Sequence, residues 1–123
     1  MTEYDDQAKN PQRWYTRTVL FVSDVQRAAQ FYMTQLGFTK AWHEADGKGT
    51  VCQVNRGICE IILCADAKRH DRARLFIELT KEGMATLRQE LAERQVPHRQ
   101  VWWGYDCLQI LDPDGNELLF PMG

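Results

Sequence analysis

Charged side chains of both signs lie at repeated places along the chain. Arg17 and Arg74 each open an apolar, β-like stretch, and Glu60 and Glu78 lie within such stretches. A guanidinium group can bind a carboxylate or a phosphate through two parallel hydrogen bonds. Because an unpaired buried charge is costly, each arginine either receives an anionic ligand or pairs internally with Glu60 and Glu78. The sequence leaves both alternatives open.

Aromatic side chains that could stack on a ligand lie in similar stretches. Trp102 and Trp103 are adjacent, so they must point to opposite faces if both lie on a strand. One of the two is then hard to bury in the core, and a half-exposed indole in a concave wall can stack on a planar molecule. Trp42 and Tyr105 are further candidates for the wall. Packing in the core or in a dimer interface is the alternative for each of them.

Cysteine and histidine residues form no recognisable nucleophilic or metal-binding motif. The four cysteines include no Cys-x-x-Cys pair, and no histidine completes a zinc-binding spacing. Three of the cysteines lie in apolar, β-like stretches, and we interpret them as small buried hydrophobic residues in a reducing compartment. The three histidines occupy dissimilar positions, namely His43, His70 and His98.

Length and composition bound the class of protein. A chain of 123 residues with 44% hydrophobic and 26% charged residues predicts one globular domain, assigned to residues 14–123. The net charge of −2, without a basic stripe interleaved with aromatic residues, argues against nucleic acid as a partner. No apolar run approaches the roughly 20 residues that a membrane helix needs. Residues 1–13 are polar, so we expect a flexible N-terminal arm and a cytoplasmic protein.

The pattern of apolar residues describes one unit of secondary structure that occurs twice. The first unit, about 15–65, contains a strand over 17–22, a helix that begins with a Ser23-x-x-Gln26 capping box and stops at Gly37, and strands over 38–44, 50–55 and 58–64. The second unit, about 73–121, contains a strand over 74–79, a helix capped by Thr80, and strands over 100–103, 106–111 and 117–120. A charged linker separates the two units.

Two such units define the expected fold. Each unit is a four-stranded sheet with one face covered by its helix, and two units placed edge to edge form a cup. Because side chains alternate across a strand, Leu20 and Val22 are predicted to pack on the helix, while Val19 and Phe21 point into the cup. The predicted class is therefore α+β, with tandem βαβββ modules that form an eight-stranded half-open barrel and helices on the outside.

Four short motifs occur in an order that resembles a known superfamily. They are the first strand and helix cap over 19–25, Phe31-Tyr32 followed by Leu36-Gly37-Phe38, Trp103-Gly104-Tyr105, and the turn Asp112-Pro113-Asp114-Gly115-Asn116 before the last apolar strand. In this order they resemble the glyoxalase, bleomycin-resistance and extradiol-dioxygenase proteins, also called the vicinal oxygen chelate superfamily. The resemblance covers about residues 15–121 and implies paired βαβββ modules, usually in a dimer.

The same resemblance gives an expectation about metal. In metal-dependent members, four strand positions near the floor of the cup carry histidine, glutamate or glutamine ligands. The corresponding positions here are Arg17, Arg74, Leu119 and either Ile62 or Glu60. Leucine and isoleucine cannot bind a metal, and arginine keeps its proton and repels a cation. We therefore expect no metal and no cofactor, as in the metal-free bleomycin-resistance branch.

The sequence thus favours a small-molecule binding protein that acts as a homodimer. The expected ligand is planar and aromatic, with a positive charge as one option, held in an aromatic and acidic cup. The candidate binding residues are Arg17, Phe21, Trp42, Glu60, Arg74, Glu78, Trp102, Trp103 and Tyr105.

Two other functions stay open. The first is a lyase, isomerase or dioxygenase of the same superfamily, in which Glu60, Glu78, His43 or Tyr105 would supply an acid-base pair; the sequence assigns no catalytic residue. The second is an interaction or regulatory domain without a ligand.

Overall fold

The computed structural model describes Gln12 and residues 14–122. Apart from Gln12, the predicted N-terminal arm lies outside the described residues. The first module contains β1 (Thr18–Phe21), α1 (Val25–Leu36), β2 (Thr39–His43), the single turn α2 (Glu44–Gly47), β3 (Val51–Arg56) and β4 (Cys59–Cys64). The second contains β5 (Arg74–Phe76), α3 (Lys81–Glu93), β6 (Arg99–Trp102), β7 (Asp106–Leu111) and β8 (Glu117–Pro121).

Both modules build the same sheet from their own strands. The strand orders are β1-β4-β3-β2 and β5-β8-β7-β6. In each sheet the first strand runs parallel to the last, and the remaining neighbours are antiparallel. Thr18 pairs with Ile61 in the first sheet, and Leu75 pairs with Leu118 in the second. This arrangement confirms the α+β class with repeated βαβββ modules.

Local signals set the ends of the two long helices. The side chain of Asp24 accepts hydrogen bonds from the amides of Gln26 and Arg27 at the start of α1, so Asp24 is the N-cap and the predicted Ser23 cap is wrong. Gly37 ends α1 with φ of 70°, a left-handed conformation that glycine adopts without strain. Thr80 caps α3 as predicted, by accepting a hydrogen bond from the amide of Gly83.

The two sheets and both long helices share one hydrophobic core. Alternate residues of each sheet are buried in it, among them Leu20 and Leu63 from the first module and Ile110 and Leu118 from the second. No strand of one sheet lies within 8 Å, Cα to Cα, of a strand of the other in the described part of the chain. Because both sheets turn one face to the same core, their other faces point outward, away from each other. We call these the outward faces.

Asp112 joins the two modules through the turn that precedes β8. Its carboxylate is buried and accepts hydrogen bonds from the Tyr32 hydroxyl at 2.9 Å, the Asn116 side-chain amide at 2.9 Å and the backbone amides of Asp114 and Asn116 at 2.9 Å. Burial and the Asp112 carboxylate raise the pKa of Tyr32, which stays a neutral donor. The Asn116 amide also donates to the carbonyl of Phe21 in the first module. The turn therefore fixes α1 to the second sheet.

Arg56 forms a second joint, at the C-terminal end of α1. Its guanidinium donates to both carboxylate oxygens of Glu90 on α3, at 2.8 and 2.9 Å, and to the carbonyl of Leu36 at 2.7 Å. Hydrogen bonds from Arg56 outweigh the effect of burial and lower the pKa of Glu90. None of the helices among the described residues is long and apolar enough to span a membrane.

Candidate functional site

Three aromatic rings gather on the outward face of the second module. The centroid of the Phe76 ring on β5 lies 4.7 Å from that of Trp103 and 6.2 Å from that of Tyr105. The guanidinium of Arg74 lies 5.6 Å from the centre of the Trp103 ring. Phe76, Trp103 and Tyr105, which we call the aromatic cluster, are 36%, 47% and 45% exposed. The cluster thus offers apolar ring faces to solvent beside a cation.

A charged hydrogen-bond network continues this face towards β6. Arg74 Nη2 donates to Glu117 Oε1 at 3.1 Å, and Gln109 Nε2 donates to Glu117 Oε2 at 2.9 Å. Arg99 Nε in turn donates to Gln109 Oε1 at 2.7 Å. Burial raises the pKa of Glu117, but the hydrogen bonds from Arg74 and Gln109 and the charge of Arg74 outweigh it, and the pKa is lowered overall. Glu117 is therefore an ionised carboxylate in direct contact with Arg74.

The outward face of the first module repeats the network with one difference. Arg17 Nη1 donates to Gln53 Oε1 at 2.9 Å, and Gln53 Nε2 donates to Glu60 Oε1 at 3.1 Å. Trp42 Nε1 donates to the same Gln53 oxygen at 3.0 Å, and the Tyr15 hydroxyl donates to Glu60. Gln53 is buried, whereas Trp42 is 40% exposed. A neutral amide therefore stands between Arg17 and Glu60.

The sequence-based pairing of the charges needs a correction. Arg74 pairs with Glu117 and not with Glu78, because the parallel register places Arg74 directly opposite Glu117. Glu78 is exposed two residues beyond the end of β5. Arg17 likewise bonds Gln53, and the salt bridges of the described residues do not include an Arg17–Glu60 pair. The predicted pairing of Arg74 with Glu78 is therefore wrong, and in the first module Gln53 lies between Arg17 and its predicted partner Glu60.

Two other predicted site residues do not join the aromatic cluster: Trp102 points to the other face of its strand, and Phe21 is covered by Arg69. Trp102 ends β6, three residues after Arg99, which bonds Gln109 on the outward face. Because side chains alternate along the strand, Trp102 points to the opposite face, away from Trp103 beside Phe76, and it is 72% exposed. Phe21 lies on the outward face of the first module, and the guanidinium of Arg69 sits 4.2 Å from its ring centre. The structure therefore brings Trp103 and Tyr105 together, and it leaves Trp102 apart from them.

The two glutamines at the centre of the networks were not among the predicted site residues. Gln53 and Gln109 are buried, and each lies in the third strand of its module between buried apolar neighbours. A polar residue repeated at the same place in two apolar strands was the available signal. Each glutamine bonds an arginine and a glutamate at the same time, so it orders both charges.

The side chains at the four positions that the resemblance assigns to metal ligands do not fit a metal ion. Arg17 and Arg74 carry fixed positive charge, and Ile62 and Leu119 have no donor atoms. Among the residues that the structure describes, no group of three or more His, Cys, Asp or Glu side chains could hold a metal. Glu60 is already bonded by Tyr15 and Gln53.

The histidines and cysteines stay apart from this chemistry. His43 and His98 bond backbone carbonyls, those of Gly49 and Val96. Burial raises the pKa of the Cys52, Cys59 and Cys107 thiols, which keeps them protonated.

The fold, the repeated modules and the order of the motifs agree with one family. The family model of the Glyoxalase/Bleomycin resistance protein/Dioxygenase superfamily matches residues 14–120. The chain belongs to this superfamily. No curated protein sequence matches the chain.

Solved structures of the superfamily share the fold at low sequence identity. The bleomycin-binding protein from Streptomyces verticillus, complexed with copper(II)-bleomycin, has a TM-score of 0.70 at 21% identity, covering 93% of this chain and 99% of that one. Lactoylglutathione lyase from Agrobacterium tumefaciens has a TM-score of 0.69 at 16% identity, with coverages of 91% and 95%. The fosfomycin resistance protein FosX from Mesorhizobium loti has a TM-score of 0.63 at 9% identity, with coverages of 90% and 92%. These three structures are thus of a binding protein, a lyase and a resistance protein.

Proposed function

We propose that this protein binds a planar aromatic small molecule, without a metal, in a groove that two copies of the chain form together. The aromatic cluster of Phe76, Trp103 and Tyr105 carries the proposal, because three half-exposed rings on one sheet face form a stacking surface. The fold shared with the bleomycin-binding protein is consistent with such a role.

The direction of the two outward faces supports a role for a second copy. Within one chain the faces point away from each other, so a ligand on one face meets only half of a pocket. If the first module of one copy faces the second module of another, Trp42 and the aromatic cluster become opposite walls of one groove. Burying these apolar side chains on both sides also favours association. The proposed protein is therefore a homodimer with two equivalent grooves.

The distribution of acids bears on the charge of the ligand. Glu117 is in an ion pair with Arg74, and Glu60 accepts hydrogen bonds from Tyr15 and Gln53. Glu78, two residues beyond the end of β5, is exposed, and the salt bridges of the described residues do not include it. A positive charge on the ligand would therefore meet one available carboxylate rather than the expected pair, and stacking is the main source of affinity.

Binding and association can be measured on the purified protein. Sedimentation is expected to give twice the chain mass of 14.4 kDa. Calorimetric titration with 9-aminoacridine, 2-naphthoate and 2-naphthamide is expected to give saturable binding of at least one probe, with two molecules per dimer. A saturated aliphatic probe of similar size, cyclohexanecarboxamide, is the control for stacking and should bind more weakly than 2-naphthamide. A monomer that binds none of the planar probes would contradict the proposal.

A further inference from the structure

Each module carries an arginine and a glutamate at corresponding places, but in the described residues the two form a salt bridge in the second module and not in the first. Arg17 precedes β1 by one residue, so the register places it beside Glu60, as Arg74 is placed beside Glu117. Arg74 and Glu117 are in direct contact at 3.1 Å. In the first module, Gln53 bonds both Arg17 and Glu60 and takes the place of that contact. The chain therefore contains an internal comparison between a neutralised and an open guanidinium.

The open guanidinium has most of its hydrogen-bonding capacity left. An arginine has five N–H donors in a planar fork. In the described part of the chain, the hydrogen bond of Arg17 goes to one acceptor, the uncharged oxygen of Gln53. That oxygen is shared with Trp42 Nε1. Arg17 is also exposed on the outward face, so a ligand in the proposed groove can reach it.

The positive charge of Arg17 favours a negatively charged group in the groove over a positively charged one. The guanidinium of Arg17 carries a fixed positive charge, so it cannot bind a cation. It binds carboxylates and phosphates instead, through two parallel hydrogen bonds. Glu60 does not cancel this preference by direct contact, because Gln53 holds its carboxylate away from Arg17.

We propose that the ligand carries an anionic group, a carboxylate or a phosphate, and that Arg17 receives this group while the rings of the ligand stack on the aromatic walls. The inference rests on the proposed function, since it names the chemical class of the ligand for the same groove. A matched set of naphthalene probes separates the two claims. The anionic probes are 2-naphthoate and 2-naphthyl phosphate, and the neutral probe of the same shape is 2-naphthamide.

Calorimetric titration is expected to show at least one anion binding about tenfold to a hundredfold more tightly than the amide, the range for a hydrogen bond to a charged group. The stronger of the two anions identifies the group. In the Arg17→Gln variant the anion and the amide should bind within about twofold of each other. Arg17→Lys keeps the charge but loses the fork, so it should retain part of the preference.

Arg27→Gln is the control for net charge, because Arg27 is exposed on α1, away from both outward faces. It should leave the preference for the anion unchanged. Equal binding of the anions and the amide by the wild-type protein would overturn the inference and leave the proposed function standing. An anion preference that survives in Arg17→Gln would also overturn it. Failure of every naphthalene probe to bind would count against both.

Discussion

Asp112→Ala is expected to lower the free energy of unfolding by about 3–5 kcal/mol, the range for removal of one partner from a buried, charged network. The substitution removes the acceptor of the Tyr32 hydroxyl and one of the two acceptors of the Asn116 side-chain amide, and both residues are 0% exposed. It also removes the acceptor for two backbone amides of the turn. Urea unfolding followed by circular dichroism measures the change.

Two variants compare the buried Asp112 carboxylate with single hydrogen bonds at the same turn. Tyr32→Phe removes a single hydrogen bond to Asp112, so it should cost about 1–2 kcal/mol. The Asp114 carboxylate, in the same turn, accepts one hydrogen bond, from the amide of Ser23. Asp114→Ala should therefore lower the free energy of unfolding by less than about 1 kcal/mol. If Asp112→Ala were no more destabilising than Asp114→Ala, the buried Asp112 carboxylate would not be the main link between the modules.

Trp103→Ala is expected to weaken the binding of a planar probe about thirtyfold, or about 2 kcal/mol, as for a tryptophan at the centre of a binding surface. The Trp103 ring lies beside Phe76, with 4.7 Å between the ring centroids, and it has the largest ring system of the aromatic cluster. Its side chain is half-exposed, so its loss should change the stability of the fold far less than it changes binding. Calorimetry with 2-naphthoate and 2-naphthamide measures the effect without depending on tryptophan fluorescence.

The neighbouring tryptophan supplies the matched control. Trp102→Ala removes the same side chain one residue earlier, from the opposite face of the strand, and should change probe affinity by less than about twofold. Trp102 is more exposed than Trp103, so both variants are expected to fold. A larger loss of affinity for Trp102→Ala than for Trp103→Ala would place the ligand on the face opposite the aromatic cluster and contradict the proposed groove.

Local chemistry made most of the secondary structure predictable. Gly37 and Thr80 act at their own positions, through backbone conformation and a capping hydrogen bond, and both predictions are confirmed. The cap of α1 was harder, because Ser23 and Asp24 are adjacent and both residue types cap helices. Only the exact point where the chain leaves the extended conformation decides between them, and the structure selects Asp24.

The partners of the charged residues could not be predicted in the same way. Arg74 and Glu117 are 43 residues apart, and Arg17 and Gln53 are 36 apart, so their contacts depend on the pairing of strands that are distant in sequence. Alternation along a strand predicts the face of a side chain, but not which neighbour on that face it bonds. In the first module Gln53 bonds both Arg17 and Glu60, and this role follows only from its position between them.

The shared core was also beyond the reach of the sequence pattern. Each module predicts one covered and one open sheet face, and this alternation is the same whether the open faces meet within one chain or between two chains. The structure packs the covered faces of both sheets on one core, together with Leu91 of α3 and Tyr32 of α1. The open faces consequently point apart, and the proposed groove needs residues from two copies.

A mixed dimer distinguishes a groove built by two copies of the chain from one built within a single copy. Trp42→Ala damages the wall from the first module and Trp103→Ala the wall from the second, so each variant alone is expected to bind 2-naphthoate weakly as a homodimer. If each groove combines the first module of one copy with the second of the other, a purified heterodimer of the two variants contains one intact groove. Calorimetry should then find one site per heterodimer with wild-type affinity. A heterodimer that binds 2-naphthoate no better than either homodimer would contradict a groove that combines modules from two copies of the chain.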